Sequence, residues 1–89
     1  MRYILTYTEK ARLELQLLDP AVRQRIVDKL VYFASSPDPM RYAKSLGGDL
    51  HGQYRFRVGT YRAIFTLTDQ GHLTILEVVR VRHRKDVYK

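Results

Sequence analysis

Apolar residues recur along this chain with two different periods, and the change of period divides it. Val22, Ile26, Leu30 and Phe33 stand four, four and three positions apart, with Val27 and Ala34 beside them. That is one apolar stripe on a helix. Asp19 and Pro20 open it as N-cap and first helical position, and Ser35-Ser36-Pro37-Asp38-Pro39 stops it. A shorter helix is predicted over 10–18, rich in Leu, Ala, Glu and Gln, with Thr8 as its cap and Glu9 at its positive end. From Gln53 the period falls to two: Tyr54, Phe56 and Val58 look one way, Arg55 and Arg57 the other. Gly59-Thr60 fits a two-residue hairpin loop. The return strand, 61–68, sets Ala63, Phe65 and Leu67 against Arg62, Ile64 and Thr66. Asp69-Gln70-Gly71 turns the chain again, and the mostly apolar run 73–81 predicts a central strand buried on both sides. Arg2–Tyr7 suits a further strand, and 40–52 reads as a loop or short irregular strand bent at its glycines.

The predicted order is β-α-α-β-β-β, an α+β fold. Two N-terminal helices pack on one face of a small, mainly antiparallel sheet. The first strand joins beside the last in parallel, because a helical connection of this length permits it. The whole chain, 1–89, reads as a single domain. The uncovered face is left to Arg55, Arg57 and Arg62 as a shallow basic cleft.

Charge sharpens this picture. Sixteen Lys and Arg against nine Asp and Glu give a net +7. Residues 1–40 contribute only +1 of it, and residues 41–89 contribute +6. A basic half suits a polyanionic partner, since each neutralised phosphate releases counterions. Most of these cations are arginines, whose planar fork matches pairs of phosphate oxygens. The chain has no cysteine, which removes disulfides and thiolate metal sites and fits a reducing cytoplasm. Its three histidines, His51, His72 and His83, are scattered, so no metal site and no cofactor is expected. No apolar run approaches a membrane span and the N-terminus has no cleavage signature, so neither a membrane nor a signal peptide is expected.

The closing segment, 80–89, carries the densest chemistry. Six of its ten residues are Arg, Lys or His, and Tyr88 stands next to last. Cation, imidazole and phenol together can bind a phosphodiester and move its protons. RNA supplies its own nucleophile, the 2′-hydroxyl, so no metal is required. Arg55, Arg57 and Arg62 suit the phosphate and its charged transition state. Arg84 suits the non-bridging oxygens or the leaving 5′-oxygen. His83 is the natural proton carrier. Tyr88 either stacks on a splayed base or acts as the base, and sequence leaves both roles open. Lys44, Arg80, Arg82 and Lys85 add backbone contacts to RNA. Each has a plainer reading: a solvated strand face for Arg55 and Arg57, an acidic partner such as Asp49, Asp69 or Glu77 for Arg62, a satisfied strand-end residue for His83. Tyr54, Phe56 and Phe65 read as core, and the basic flank of the second helix (Arg23, Arg25, Lys29) as a solvated surface or a ribosomal RNA contact.

Three stretches resemble the RelE/ParE superfamily of bacterial toxins, and its RelE branch in particular. They are Leu46-Gly47-Gly48-Asp49-Leu50-His51-Gly52, the run from Tyr54 to Arg62, and Val81-Arg82-His83-Arg84-Lys85-Asp86-Val87-Tyr88. The front half agrees in layout rather than in motif. The resemblance implies a ribosome-dependent endoribonuclease, an mRNA interferase that cuts messenger RNA in the ribosomal A site and so blocks translation. It implies site residues at Arg55 and Arg57, at Arg62, at Arg84 and Tyr88, and a histidine role for His83. The family pattern carries lysines at the two meander positions, where arginines stand here. Arginine is a poor proton donor, which shifts proton transfer toward His83 or Tyr88. A helix that some relatives carry after this segment is expected to be missing. A toxin of this kind implies a small acidic antitoxin in a hetero-oligomeric complex, covering the cleft or displacing the closing segment. Two other functions fit the same features: a ParE-like inhibitor of DNA gyrase, and a non-catalytic RNA- or ribosome-binding module.

Overall fold

A computed structural model describes residues 2–50 and 52–86, apart from the side chains of Leu50 and Asp86. Strand β1 (Arg2–Tyr7) is followed by helices α1 (Glu9–Gln16) and α2 (Pro20–Ala34). Then come a short edge strand β2 (Ala43–Ser45) and the meander β3 (Gln53–Val58), β4 (Tyr61–Gln70) and β5 (Leu73–His83). The sheet order is β1-β5-β4-β3-β2, with β1 parallel to β5 and every other pair antiparallel. The α+β order and the parallel first strand are as the pattern predicts.

Local chemistry sets these elements. The Thr8 hydroxyl accepts the Ala11 N–H at 3.1 Å and so caps α1. Pro20 opens α2, whose Ile26, Leu30 and Phe33 are buried against the sheet. Gly59 turns the β3–β4 hairpin at φ 60°, a left-handed conformation that favours glycine.

Two expectations need correction, and one open alternative is decided. The stretch 40–52, read as a loop or a short irregular strand, holds a short strand, β2, with Lys44 opposite Arg55. Three residues were too few to show a period. Strand β4 runs to Gln70 and turns at Gly71-His72, so Asp69 and Gln70 extend the ladder instead of breaking it. Strand β5 is central but not buried on both sides. Leu76, Val78 and Val81 face the core, while Glu77 on the other face is exposed.

The core lies between the helices and one sheet face. Ala11, Leu15, Ile26, Leu30 and Phe33 meet Phe56, Val58, Ala63, Phe65, Leu76, Val78 and Val81. Phe33, Phe56, Phe65 and Tyr54 stack in series, with neighbouring centroids 4.9, 4.3 and 5.8 Å apart. The meander aromatics are therefore core, as the alternation implies.

Candidate functional site: an arginine row across three strands

The face away from the helices collects the cations. Alternation on β3 turns Phe56 and Val58 to the core and so turns Arg55 and Arg57 outward. In register, Arg57 stands opposite Arg62 on β4, and Arg62 stands opposite Arg82 on β5. Three arginines thus form one row across adjacent strands, which lie about 4.8 Å apart. Arg62 is the floor of the row at 5% exposure, Arg57 is exposed and Arg82 is half-buried. A second row begins at the edge, where Lys44 stands opposite Arg55. Like charges placed directly opposite repel across a sheet, and an anion lying on the row would relieve that repulsion.

A bulge puts Arg82 there. Between Ile64 and Phe65 the β4–β5 register shifts, so Ile64 meets Arg80 and Phe65 meets Val78 with Val79 looped between them. Without the extra residue, continued alternation from Leu76 and Val78 would send Arg82 to the helix side. With it, Val81 enters the core and Arg82 joins Arg57 and Arg62. Sequence reasoning placed Arg82 among auxiliary contacts. The signal it missed is the Val78-Val79 doublet, which breaks the period of two.

The other candidates are placed differently. His83 pairs with core-side Tyr61, and the two rings meet edge to face at 5.2 Å. His83 therefore sits on the helix side of the sheet, away from the row, and the structure does not bring it to the arginines. Its Nδ1 accepts the Lys85 N–H at 3.2 Å. Arg84 is exposed in a 3-10 turn (Arg84–Asp86), and its N–H donates to the Thr60 carbonyl at 2.6 Å. That bond fastens the closing segment to the β3–β4 hairpin. Arg80, expected on RNA, is held by Glu14 of α1, its Nη2 3.0 Å from Oε2. Lys85 is exposed. Asp69, one expected partner of Arg62, accepts the Thr74 hydroxyl at 2.8 Å. Tyr88 and His51 lie outside the described residues. Among the described residues no group of three or more His, Cys, Asp or Glu converges as a metal site, and no helix is long and apolar enough to cross a membrane.

The family model for the ParE toxin of type II toxin–antitoxin systems, parDE, matches residues 5–88. The chain belongs to this toxin family. Toxin RelG of Mycobacterium tuberculosis is 34% identical over 89 residues, covering 100% of this chain and 99% of its own. The fold is similar to a crystal structure of the RelBE2 toxin–antitoxin complex of M. tuberculosis, with TM-score 0.73, 30% identity, and coverage of 94% of this chain and 100% of that one. It is also similar to the isolated E. coli RelE toxin, with TM-score 0.70, 27% identity, and coverage of 97% and 90%. This chain is thus a type II toxin with a RelE-like fold, and several of its structural neighbours are complexes with a RelB antitoxin.

Proposed function

We propose that this toxin is a ribosome-dependent endoribonuclease that cleaves mRNA at the arginine row. The observation that supports it is the register Arg57–Arg62–Arg82, which gathers three guanidinium groups from three strands onto one exposed sheet face. A phosphodiester docked there has its non-bridging oxygens between the forks of Arg57 and Arg82, above Arg62. The 2′-hydroxyl loses its proton and attacks the adjacent phosphorus, the bond to the 5′-oxygen breaks, that oxygen takes a proton from solvent, and the products are a 2′,3′-cyclic phosphate and a 5′-hydroxyl. The negative charge that grows on the phosphate is stabilised by donors already in place. Tyr88, in the same closing segment, is the candidate to take the 2′-proton. An acidic antitoxin segment suits the same face and restrains the toxin by occupying it.

The test is in vitro translation with mapping of mRNA 5′ ends. Wild-type toxin should produce ribosome-stimulated cuts that are lost in Arg62→Ala and in Arg82→Ala. Undiminished cutting in both variants would overturn the assignment. Inhibited gyrase supercoiling with no RNA cut would select the gyrase-directed reading instead.

A further inference from the structure

Beyond the arginine row, a second set of side chains has the composition of a nucleic-acid contact. Arg25, Lys29 and Tyr32 follow one another at helical steps of four and three along α2, and all three are exposed. Tyr32 lies beside Tyr42, which ends the 3-10 turn Pro39–Tyr42, with ring centroids 6.1 Å apart. The two rings are 57% and 38% exposed. The Lys29 ammonium sits 5.1 Å from the Tyr32 ring centre, and the Arg41 guanidinium 5.9 Å from that of Tyr42.

This pair is anchored. Tyr42 stacks on buried Phe33 at 4.8 Å and 25°, and Phe33 stacks on Phe56 at the centre of the core. A hydrogen bond with Tyr32, followed by burial, raises the Tyr42 phenol above its ordinary pKa. Two rings so held lose little freedom when a third ring joins them. Exposed aromatics flanked by cations are the usual platform for an unpaired base. The local balance stays positive: Arg25, Lys29 and Arg41 outnumber Asp28, whose carboxylate accepts the Gln24 amide at 2.8 Å, and Asp38, which precedes the 3-10 turn.

Position links this platform to the cleavage face. Tyr42 is followed by Ala43, the first residue of β2, and Lys44 of β2 stands opposite Arg55 on the arginine side. Cations therefore continue from Arg57 through Arg55 and Lys44, round the β2 edge, to Arg41 and Lys29. We propose that the RNA strand cut at the arginine row continues over this edge and stacks a base on the Tyr32–Tyr42 pair. This inference rests on the proposed RNA-cleaving function and names a second contact on the same strand.

The experiment uses the full-length toxin and a single-stranded, fully 2′-O-methyl oligonucleotide carrying 2′-O-methyl-4-thiouridine, which has no free 2′-hydroxyl and cannot be cut. Photo-crosslinks mapped by mass spectrometry should fall on Tyr32 or Tyr42. Tyr32→Ala should weaken binding by about 5- to 100-fold, the range for loss of one base stack. Tyr32→Phe should retain most of the affinity, and Lys29→Ala should reduce the salt slope by about 1. Tyr32 is largely exposed, so these variants should fold, and thermal melts will verify it. Weakened binding in Arg57→Ala with none in Tyr32→Ala overturns this inference and leaves the cleavage face standing. Unchanged binding in both overturns the RNA reading as well. Crosslinks from the platform to ribosomal RNA alone, in ribosome complexes, would also overturn the assignment to the cleaved strand.

Discussion

The Glu14 carboxylate accepts the backbone N–H of Val81 at 2.8 Å, joining a helix side chain to a strand backbone. It does so beyond the last β1–β5 pair, Tyr7–Val78, where that edge of β5 has no strand neighbour. The same carboxylate takes the Arg80 Nε, at 3.2 and 3.1 Å from its two oxygens. Glu14 thereby replaces a missing strand at the residue before Arg82. Glu14→Ala should destabilise the fold by about 1–3 kcal/mol, the usual cost of leaving a charge-assisted, partly buried hydrogen bond unmade. Urea denaturation measures this, and Glu14→Gln should lose less because its amide oxygen still accepts the Val81 N–H.

The arginine row implies opposite effects on stability and on activity. Arg57→Ala removes a like-charge opposition to Arg62 and should stabilise the isolated toxin by several tenths of a kcal/mol, in line with cross-strand pair energies. The same change should lower the rate of RNA cleavage by about 10²–10³-fold, as when one transition-state donor is removed. Chemical denaturation and single-turnover cleavage, run on the same preparation, check both halves.

Phe56 and Phe65 are fully buried and stacked at 4.3 Å in the middle of the ring series. Phe56→Ala should cost about 3–5 kcal/mol through lost burial and the cavity left behind. A domain of this size has a total stability of the same order, so much of the protein should be unfolded at 37 °C. Circular dichroism melts would show it.

Tyr7 gives a prediction in pH. Burial raises its phenol above the ordinary value of 10.0. In the unfolded chain the phenol ionises near that ordinary value, while in the fold it keeps its proton to higher pH. Its contribution is therefore fully present below about pH 10 and declines as pH rises from there through the folded value. Tyr7→Phe should flatten the fall in stability above pH 10. At neutral pH it should be neutral or slightly stabilising, because the Tyr7 hydroxyl is buried with no hydrogen-bond partner among the described residues.

Much of this architecture is legible in the residues themselves. The stripe Val22-Ile26-Leu30-Phe33 defines α2, and the alternation from Tyr54 to Val58 sends Arg55 and Arg57 to the correct face. Thr8 caps the helix it was expected to cap. What the pattern hides is register. Counting by twos works only while a ladder is unbroken, and the bulge at Val79 reverses the sides of everything after it. That reversal changes the side of the sheet that the closing residues take. Arg82, read as auxiliary, belongs to the row, while His83, read as the proton carrier, lies across the sheet against Tyr61. The Glu14 contacts to Arg80 and Val81 were equally out of reach, because they join residues 66 and 67 positions apart. No local rule links such distant residues.

The parallel pairing of β1 with β5 also carries a timing. β1 is the first strand to be synthesised and β5 the last, and in the finished sheet β1 has no other strand to bond with. While a ribosome is still adding residues before Leu73, the nascent polypeptide holds Arg57 and Arg62 but neither Arg82 nor the strand that closes the sheet. The row is therefore completed only once β5 has been made, after both of its other arginines are already in the chain.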